Sequence, residues 1–261
     1  MFETIRIETD ARGVAHLWLA RAEKHNALSA LMIEEITRAI ADLGADPGVR
    51  VVVLAAEGAS FCAGGDLKWM QGNIGATPEG RAASARALAE MLAALDHCPK
   101  PLIGRVQGNA FGGGIGMMAV CDVAVTVPEA RFGLTETRLG LTPATISPYV
   151  VARMGAAKAR RVFMSARLFG AEEARDLDLV ARIVAPEALD AAIEAEVTPY
   201  LSCAPGAVAE AKALIRMLSA RARPESDIMD ATIAALVARW ESPEAMEGIT
   251  AFFEKRKPGW A

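Results

Sequence analysis

The chain opens with two runs, at 4–9 and 14–19, that alternate apolar and polar residues around Asp10-Ala11-Arg12-Gly13. A period of two across a Gly-containing turn predicts a β-hairpin. The period then lengthens: Ile33, Ile36, Ile40 and Leu43 recur at helical spacing over 30–43, with Ser29 as N-cap. Gly44 and Asp46-Pro47-Gly48 stop that helix. Val51 to Leu54 is an unbroken apolar run, and 102–106, interrupted by Arg105, and 122–127 are further short, mainly apolar runs, each of the length of a buried strand. A helix with Leu88, Met91, Leu92 and Leu95 on one face is predicted over 81–95, behind a glycine-rich stretch, 72–80, read as a mobile pocket rim.

Past Ser147 the pattern becomes almost entirely helical, at 148–153, 157–165, 171–177, 186–201, 205–220, 225–240 and 243–256. One short strand at 179–184 interrupts it. No linker separates the halves, so the reading is an α/β core over 1–200 and a helical region over 201–261. The order of elements does not suit an alternating doubly wound sheet.

Two stretches share one plan. Val51-Val52-Val53-Leu54 leads into Phe61-Cys62-Ala63-Gly64-Gly65-Asp66 and then a helix start, with Asp66 as N-cap. The strand at 102–106 leads into Gly112-Gly113-Gly114-Ile115-Gly116 and a helix through Cys121. Each glycine turn presents a backbone N–H donor, and the free N–H groups of the second turn sit at a helix N-terminus, where partial positive charge collects. Together they can hold a phosphate, or an oxyanion that forms during a reaction. Gly114-x-Gly116-x-x-Ala119 also fits a loose dinucleotide fingerprint. The acid after its next strand, Glu129, comes too soon for the roughly 20-residue spacing that fingerprint needs.

Composition narrows the classes. At 52% apolar and 23% charged the chain is globular rather than disordered. A net charge of −4 offers no field for nucleic acid or an anionic membrane, and no apolar run approaches the ~20 residues of a bilayer span. Cys62, Cys98, Cys121 and Cys203 lack CxxC spacing and the N-terminus lacks a leader pattern, which predicts a cytoplasmic protein with free thiols. Three scattered histidines predict neither a metal site nor a Ser/His/Asp arrangement. That leaves carboxylates, most of which read as solvated surface charge. Asp122, after Cys121, reads as a structural acid fixing the helix-to-strand turn.

FCAGGDLKWM, GNAFGGGIG followed by CD, and FGLTETRLGLTP, with RAEKHNALS before them and FFEKRKPGW at the end, resemble the enoyl-CoA hydratase/isomerase (crotonase) superfamily over nearly the whole chain. The resemblance implies a spiral of β-β-α turns, a helical C-terminal trimerisation region, a homotrimer or homohexamer, and an acyl-CoA substrate. It implies no separate cofactor, coenzyme A being part of the substrate. It assigns Glu136 as the catalytic acid–base and the Gly65 and Gly113 N–H groups as oxyanion donors. Substrate contacts are implied for Lys24, His25 and Ala27, for Ala63, Asp66, Leu67 and Lys68, and for Gly112, Pro143 and Ala144. Phe253 and Lys255 of the tail, with Phe252 and Lys257, are implied to reach a neighbour's coenzyme.

By the same resemblance, the Ala144 N–H can steady a catalytic water. Arg138 could restrain Glu136 or meet a substrate carboxylate. Two-glutamate hydratases carry a second acid where this chain has Gly116. The glycine is expected to open space beside the β-carbon and to suit a branched or carboxylated acyl chain. The motifs are closest to the methylglutaconyl- and isohexenylglutaconyl-CoA hydratase branch. The expected activity is enoyl-CoA hydration, with a single-glutamate double-bond isomerase and a non-catalytic coenzyme A-binding scaffold as alternatives.

Overall fold

The computed structural model describes residues 2–219 and 243–260. The hairpin forms as read: β1 (Ile5–Thr9) pairs antiparallel with β2 (Val14–Leu19). Helix α1 (Ala30–Ala45) follows, its first turn capped by the Ser29 side chain, which accepts from the Met32 N–H. Its Ile33, Ile36, Ile40 and Leu43 are buried, as the helical spacing requires.

Next come three successive β-β units. The first is β3 (Val51–Ala56) and β4 (Ser60–Cys62), followed by α2 (Leu67–Gly75) and α3 (Pro78–His97). The second is β5 (Leu102–Val106) and β6 (Asn109–Phe111), followed by α4 (Gly113–Val120). The third is β7 (Val123–Thr126) and β8 (Arg131–Gly133), followed by a 3-10 turn (Glu136–Leu139) and α5 (Ser147–Ala159). Each unit gives its longer strand to one sheet and its three-residue strand to another. After β9 (Phe169–Gly170), α6 (Ala171–Asp176) and β10 (Arg182–Ile183), the six-stranded sheet has the order β1-β2-β3-β5-β7-β10 and the four-stranded sheet β4-β6-β8-β9. Beyond the hairpin the larger sheet is parallel. Its central strand β3, VVVLAA, is buried throughout, as expected of a parallel strand covered on both faces.

This is the β-β-α spiral that the resemblance implied. Helices α7 (Leu189–Leu201), α8 (Pro205–Ser219) and α9 (Pro243–Glu254) complete the described chain; the helix expected at 225–240 lies outside the described residues. Lys212 of α8 bonds the Asp122 carboxylate and the Lys100 carbonyl, and Arg50 donates to the carbonyls of Leu201, Cys203 and Trp260, tying the C-terminal region to the core.

Two local readings change. The 72–80 stretch is helical through Gly75, and Thr77 caps a helix that begins at Pro78, where the missing N–H costs nothing. The helix expected at 157–165 ends at Ala159 and gives way to turns. No helix among the described residues is long and apolar enough to cross a membrane.

Candidate active site

Strands β4, β6 and β8 lie side by side and parallel, so their C-terminal ends open at one edge. Three segments therefore leave that edge together: Ala63–Asp66 after β4, Gly112–Gly113 after β6, and the turn carrying Glu136 after β8. The carboxyl ends of parallel strands are where such sheets hold ligands.

The two glycine turns nearly touch. A Cβ on Gly112 would lie 3.9 Å from the Gly64 Cα and 2.9 Å from Glu136 Oε1. Gly64 (φ 92°) and Gly112 (φ 48°) both hold left-handed backbone that a side chain would strain. Around them the chain is pinned: Leu28 donates to the Gly64 carbonyl at 2.7 Å, Asp66 to Leu28 at 2.9 Å, and Gly112 to Gly133 at 3.1 Å. The N–H groups of Gly65 and Gly113, in contrast, have no hydrogen-bond partner among the described residues.

Glu136 faces this pair. Its Oε2 is buried and makes no hydrogen bond, an expensive arrangement for an ionised oxygen. Burial raises the carboxyl above its ordinary pKa, and its own backbone amide offsets only part of that. A half-buried carboxylate with one unpartnered oxygen and a raised pKa, beside two uncommitted N–H donors, would suit proton transfer.

The other sequence-derived residues divide. Lys24, His25, Ala63, Leu67 and Lys68 are exposed around the same edge, with Ala27 buried beneath them. Asn26 fixes their loop. Its amide donates to the Glu57 and Ser60 carbonyls and its oxygen accepts from Arg21 N–H. His25 Nδ1 lies 3.3 Å from Ser60 Oγ. Pro143 is buried and Ala144 exposed on the loop beyond Glu136, and Lys255 is exposed on the tail. The Phe253 side chain lies outside the described residues.

Four expectations are corrected or narrowed. Asp66 is engaged within the chain: one oxygen caps α2 through the Lys68 and Trp69 N–H groups and the other meets Arg21 at 3.0 Å. Burial raises that carboxyl, but Arg21 and the two amides outweigh it and leave the pKa lowered. The Ala144 N–H donates to Thr142 at 2.8 Å, a tight local turn that withdraws it from any water. Arg138 makes no hydrogen bond to Glu136 among the described residues; its Nη2 donates to the Ala166 carbonyl at 3.0 Å. Gly116 opens no space, because Ile146 fills it. A Cβ there would lie 2.6 Å from Ile146 Cγ2 and 3.4 Å from Leu92 Cδ2. Asp122 is structural as read, accepting from Leu102 N–H and from Lys212, both at 2.7 Å.

Three residues at the site had no individual signal in the sequence. Leu28 sits so close that a Cβ on Gly113 would meet its Cδ1 at 2.5 Å. Ile146 closes the Gly116 side. The Trp69 ring lies 3.3 Å from where a Gly65 Cβ would be, and its other surroundings are a cavity of about 360 Å³ lined also by Ala30, Ile33, Gly72, Asn73, Ser84 and Ala87. Leu28 and Trp69 lie inside quoted motifs, whereas Ile146 is a packing partner distant in sequence. The buried thiols of Cys62 and Cys121 are pushed up to about 12 by burial and are unreactive. Among the described residues no group of three potential metal ligands occurs.

Paired N–H donors and a carboxylate with one unpartnered oxygen at the carboxyl ends of parallel strands would suit enolate-forming chemistry. The family model for enoyl-CoA hydratase/isomerase matches residues 9–261, and the chain belongs to that family. A relative from Thermus thermophilus is 35% identical over 256 residues, 97% of this chain and 99% of its own. The crystal structure of an enoyl-CoA hydratase from Shewanella pealeana is similar with a TM-score of 0.95 and 36% identity, covering 100% of this chain and 97% of that one. That of a Mycobacterium smegmatis enoyl-CoA hydratase has a TM-score of 0.91 and 35% identity, covering 99% of each chain. The protein is an enzyme of the enoyl-CoA hydratase type, and its family implies an acyl-CoA substrate.

Proposed function

We propose that the enzyme adds water reversibly to a 2-enoyl-CoA, with Glu136 as the sole proton-transfer group and the Gly65 and Gly113 N–H groups as oxyanion donors. The observation that carries this reading is the buried, partnerless Oε2 of Glu136 beside two uncommitted N–H groups. Glu136 takes a proton from water as the water oxygen bonds to Cβ. The Cα–Cβ π pair moves toward the thioester carbonyl, whose oxygen becomes an enolate held by the two N–H groups. Glu136 then returns the proton to Cα, and dehydration runs the same path backwards. A raised pKa suits a group that must both accept and return a proton. The exposed rim of Lys24, His25, Leu67 and Lys68 suits the coenzyme, which contributes phosphates and an apolar arm. No separate cofactor enters these steps.

The acyl chain is the finer question. The motif similarity points to a branched or carboxylated, methylglutaconyl-like chain. The apolar lining of the Trp69 cavity supports the branched part. For a carboxylate, the cation nearest Glu136 in sequence is Arg138, whose Nη2 donates to the Ala166 carbonyl. We assign the cavity to the distal end of an apolar chain. Ser84→Phe, which fills it, should then cut kcat/KM for octenoyl-CoA roughly tenfold to a hundredfold while crotonyl-CoA changes little, since each buried methylene is worth about 0.8 kcal/mol. An unchanged chain-length profile in the variant sinks that assignment.

A second reading, double-bond isomerisation, is favoured by one feature: Ile146, an apolar group, covers Gly116, so Glu136 works alone. Incubation with crotonyl-CoA, a 3-enoyl-CoA and methylglutaconyl-CoA separates hydration from isomerisation by the product formed.

Assembly as a trimer or hexamer belongs to the same proposal. Leu139, Leu141, Met164 and Leu168 are exposed on the segments around Glu136, and exposed Lys255 and Lys257 lie on the tail proposed to serve a neighbouring coenzyme site. Sedimentation should find no active monomer; a stable, fully active monomer contradicts this. A cytoplasmic location is likewise part of the proposal.

A further inference from the structure

Helix α4 is poorly equipped to be a helix. Three of its eight residues, Gly113, Gly114 and Gly116, are glycine, the weakest helix former after proline. Its N-cap, Gly112, supplies no side-chain bond. That end must stay uncapped if the Gly113 N–H is to meet a substrate oxygen, so the helix has to be held from elsewhere.

The other end is held by Arg153, which projects from α5. Its Nε and Nη2 donate to the Ala119 carbonyl at 3.2 and 3.1 Å, Nη2 also bonds the Cys121 carbonyl, and Nη1 reaches the Asp122 carbonyl at 3.5 Å. The side chain is half-buried, and no carboxylate pairs with it among the described residues. A cation on the last carbonyls satisfies orphan acceptors and opposes the negative end of the helix dipole. Arg153 also ties α4 to the helix that closes the loop carrying Glu136, while Ile146 packs the same two helices together at Gly116.

We propose that Arg153 is a positioning residue for the oxyanion site: by gripping the carboxyl end of α4 it keeps the Gly113 N–H aimed at the enolate oxygen and fixed relative to Glu136. The inference rests on the function proposed above. It acts through α4, and Arg153 itself touches no substrate.

The test uses acetoacetyl-CoA, whose enolate has its own ultraviolet absorbance, so the bound enolate fraction reports the strength of the oxyanion donors. Wild type should raise that fraction over free solution. In Arg153→Met the bound fraction should fall, and kcat for hydration should drop roughly tenfold to a hundredfold with KM within about threefold, because a misaimed donor loses transition-state rather than ground-state binding. Added methylguanidinium should restore part of both. Arg153→Lys, which keeps the charge but cannot span three carbonyls, should lie between them, and it carries the test if the methionine variant does not fold.

An enolate fraction equal to wild type in a folded variant, with only the melting temperature lowered, makes Arg153 merely structural and overturns the proposal. So does a lysine variant indistinguishable from wild type. If wild type itself leaves acetoacetyl-CoA unperturbed, the oxyanion reading fails first, and this inference with it.

Discussion

Glu136→Gln is expected to reduce turnover by at least about 10²-fold, the lower end of what positioned acid–base catalysis contributes, while binding of coenzyme A stays near wild type. The amide keeps the shape of the side chain against Gly112 but neither accepts nor returns a proton. Folding should not suffer. Burial raises the carboxyl above its ordinary 4.5 in the folded chain. Its contribution to stability is therefore fullest below the unfolded pKa and is lost as pH rises through the raised folded value. At neutral pH the ionised group is a liability, and the glutamine variant should melt no lower than wild type. In the wild type the base form is lost as pH falls through the same raised value, so the acid limb of kcat/KM should lie above 4.5. Activity of Glu136→Gln within about tenfold of wild type would place the proton work elsewhere.

The second large effect concerns Gly116. A carboxylate there would restore the second acid that two-glutamate hydratases carry, if the position had room for it. With Ile146 Cγ2 2.6 Å from the first added carbon, Gly116→Glu must instead displace a side chain that is only 2% exposed, and must place a charge among apolar neighbours. Overpacking and an unpaired buried charge together should cost about 3 kcal/mol or more. Ile146→Ala alone loses packing, but combined with Gly116→Glu it should relieve the clash, so the double variant should be more stable than the sum of the singles. Denaturant melts of the four proteins measure this coupling. A Gly116→Glu protein within about 0.5 kcal/mol of wild type would show that the space is open after all.

Much of this molecule was legible because its signals are local. The hairpin, the Ser29 and Asp66 caps and the repeated strand–glycine turn–helix plan each depend on residues within a few positions of one another. Even the helix at Pro78 has its mark in Thr77-Pro78-Glu79, set among glycines that signal a loop more strongly. The second sheet was hidden because Ser60–Cys62, Asn109–Phe111 and Arg131–Gly133 are too short to show a period. Yet it is that sheet's parallel order that brings Glu136 to the two glycine turns.

At the site itself, backbone donors follow motif position and were readable from it. Their neighbours were not. Nothing near Gly116 in sequence announces Ile146, and the grip of Arg153 on α4 has the outward form of any helix-surface arginine. The Ala144 N–H was assigned to water by position, whereas a turn of three residues had already satisfied it.

The central claim is that this enzyme adds water to an enoyl thioester through Glu136. It is tested most directly by mass spectrometry of the products formed from a 2-enoyl-CoA in isotopically labelled water, by wild type and by Glu136→Gln. With heavy-oxygen water, the account predicts a wild-type product heavier by one water, its labelled oxygen at Cβ and its added proton at Cα, and almost none from the variant over the same time. Recovery of the 2-enoyl thioester unchanged, together with conversion of a 3-enoyl-CoA to its isomer without gain of oxygen, would contradict it and make the protein an isomerase.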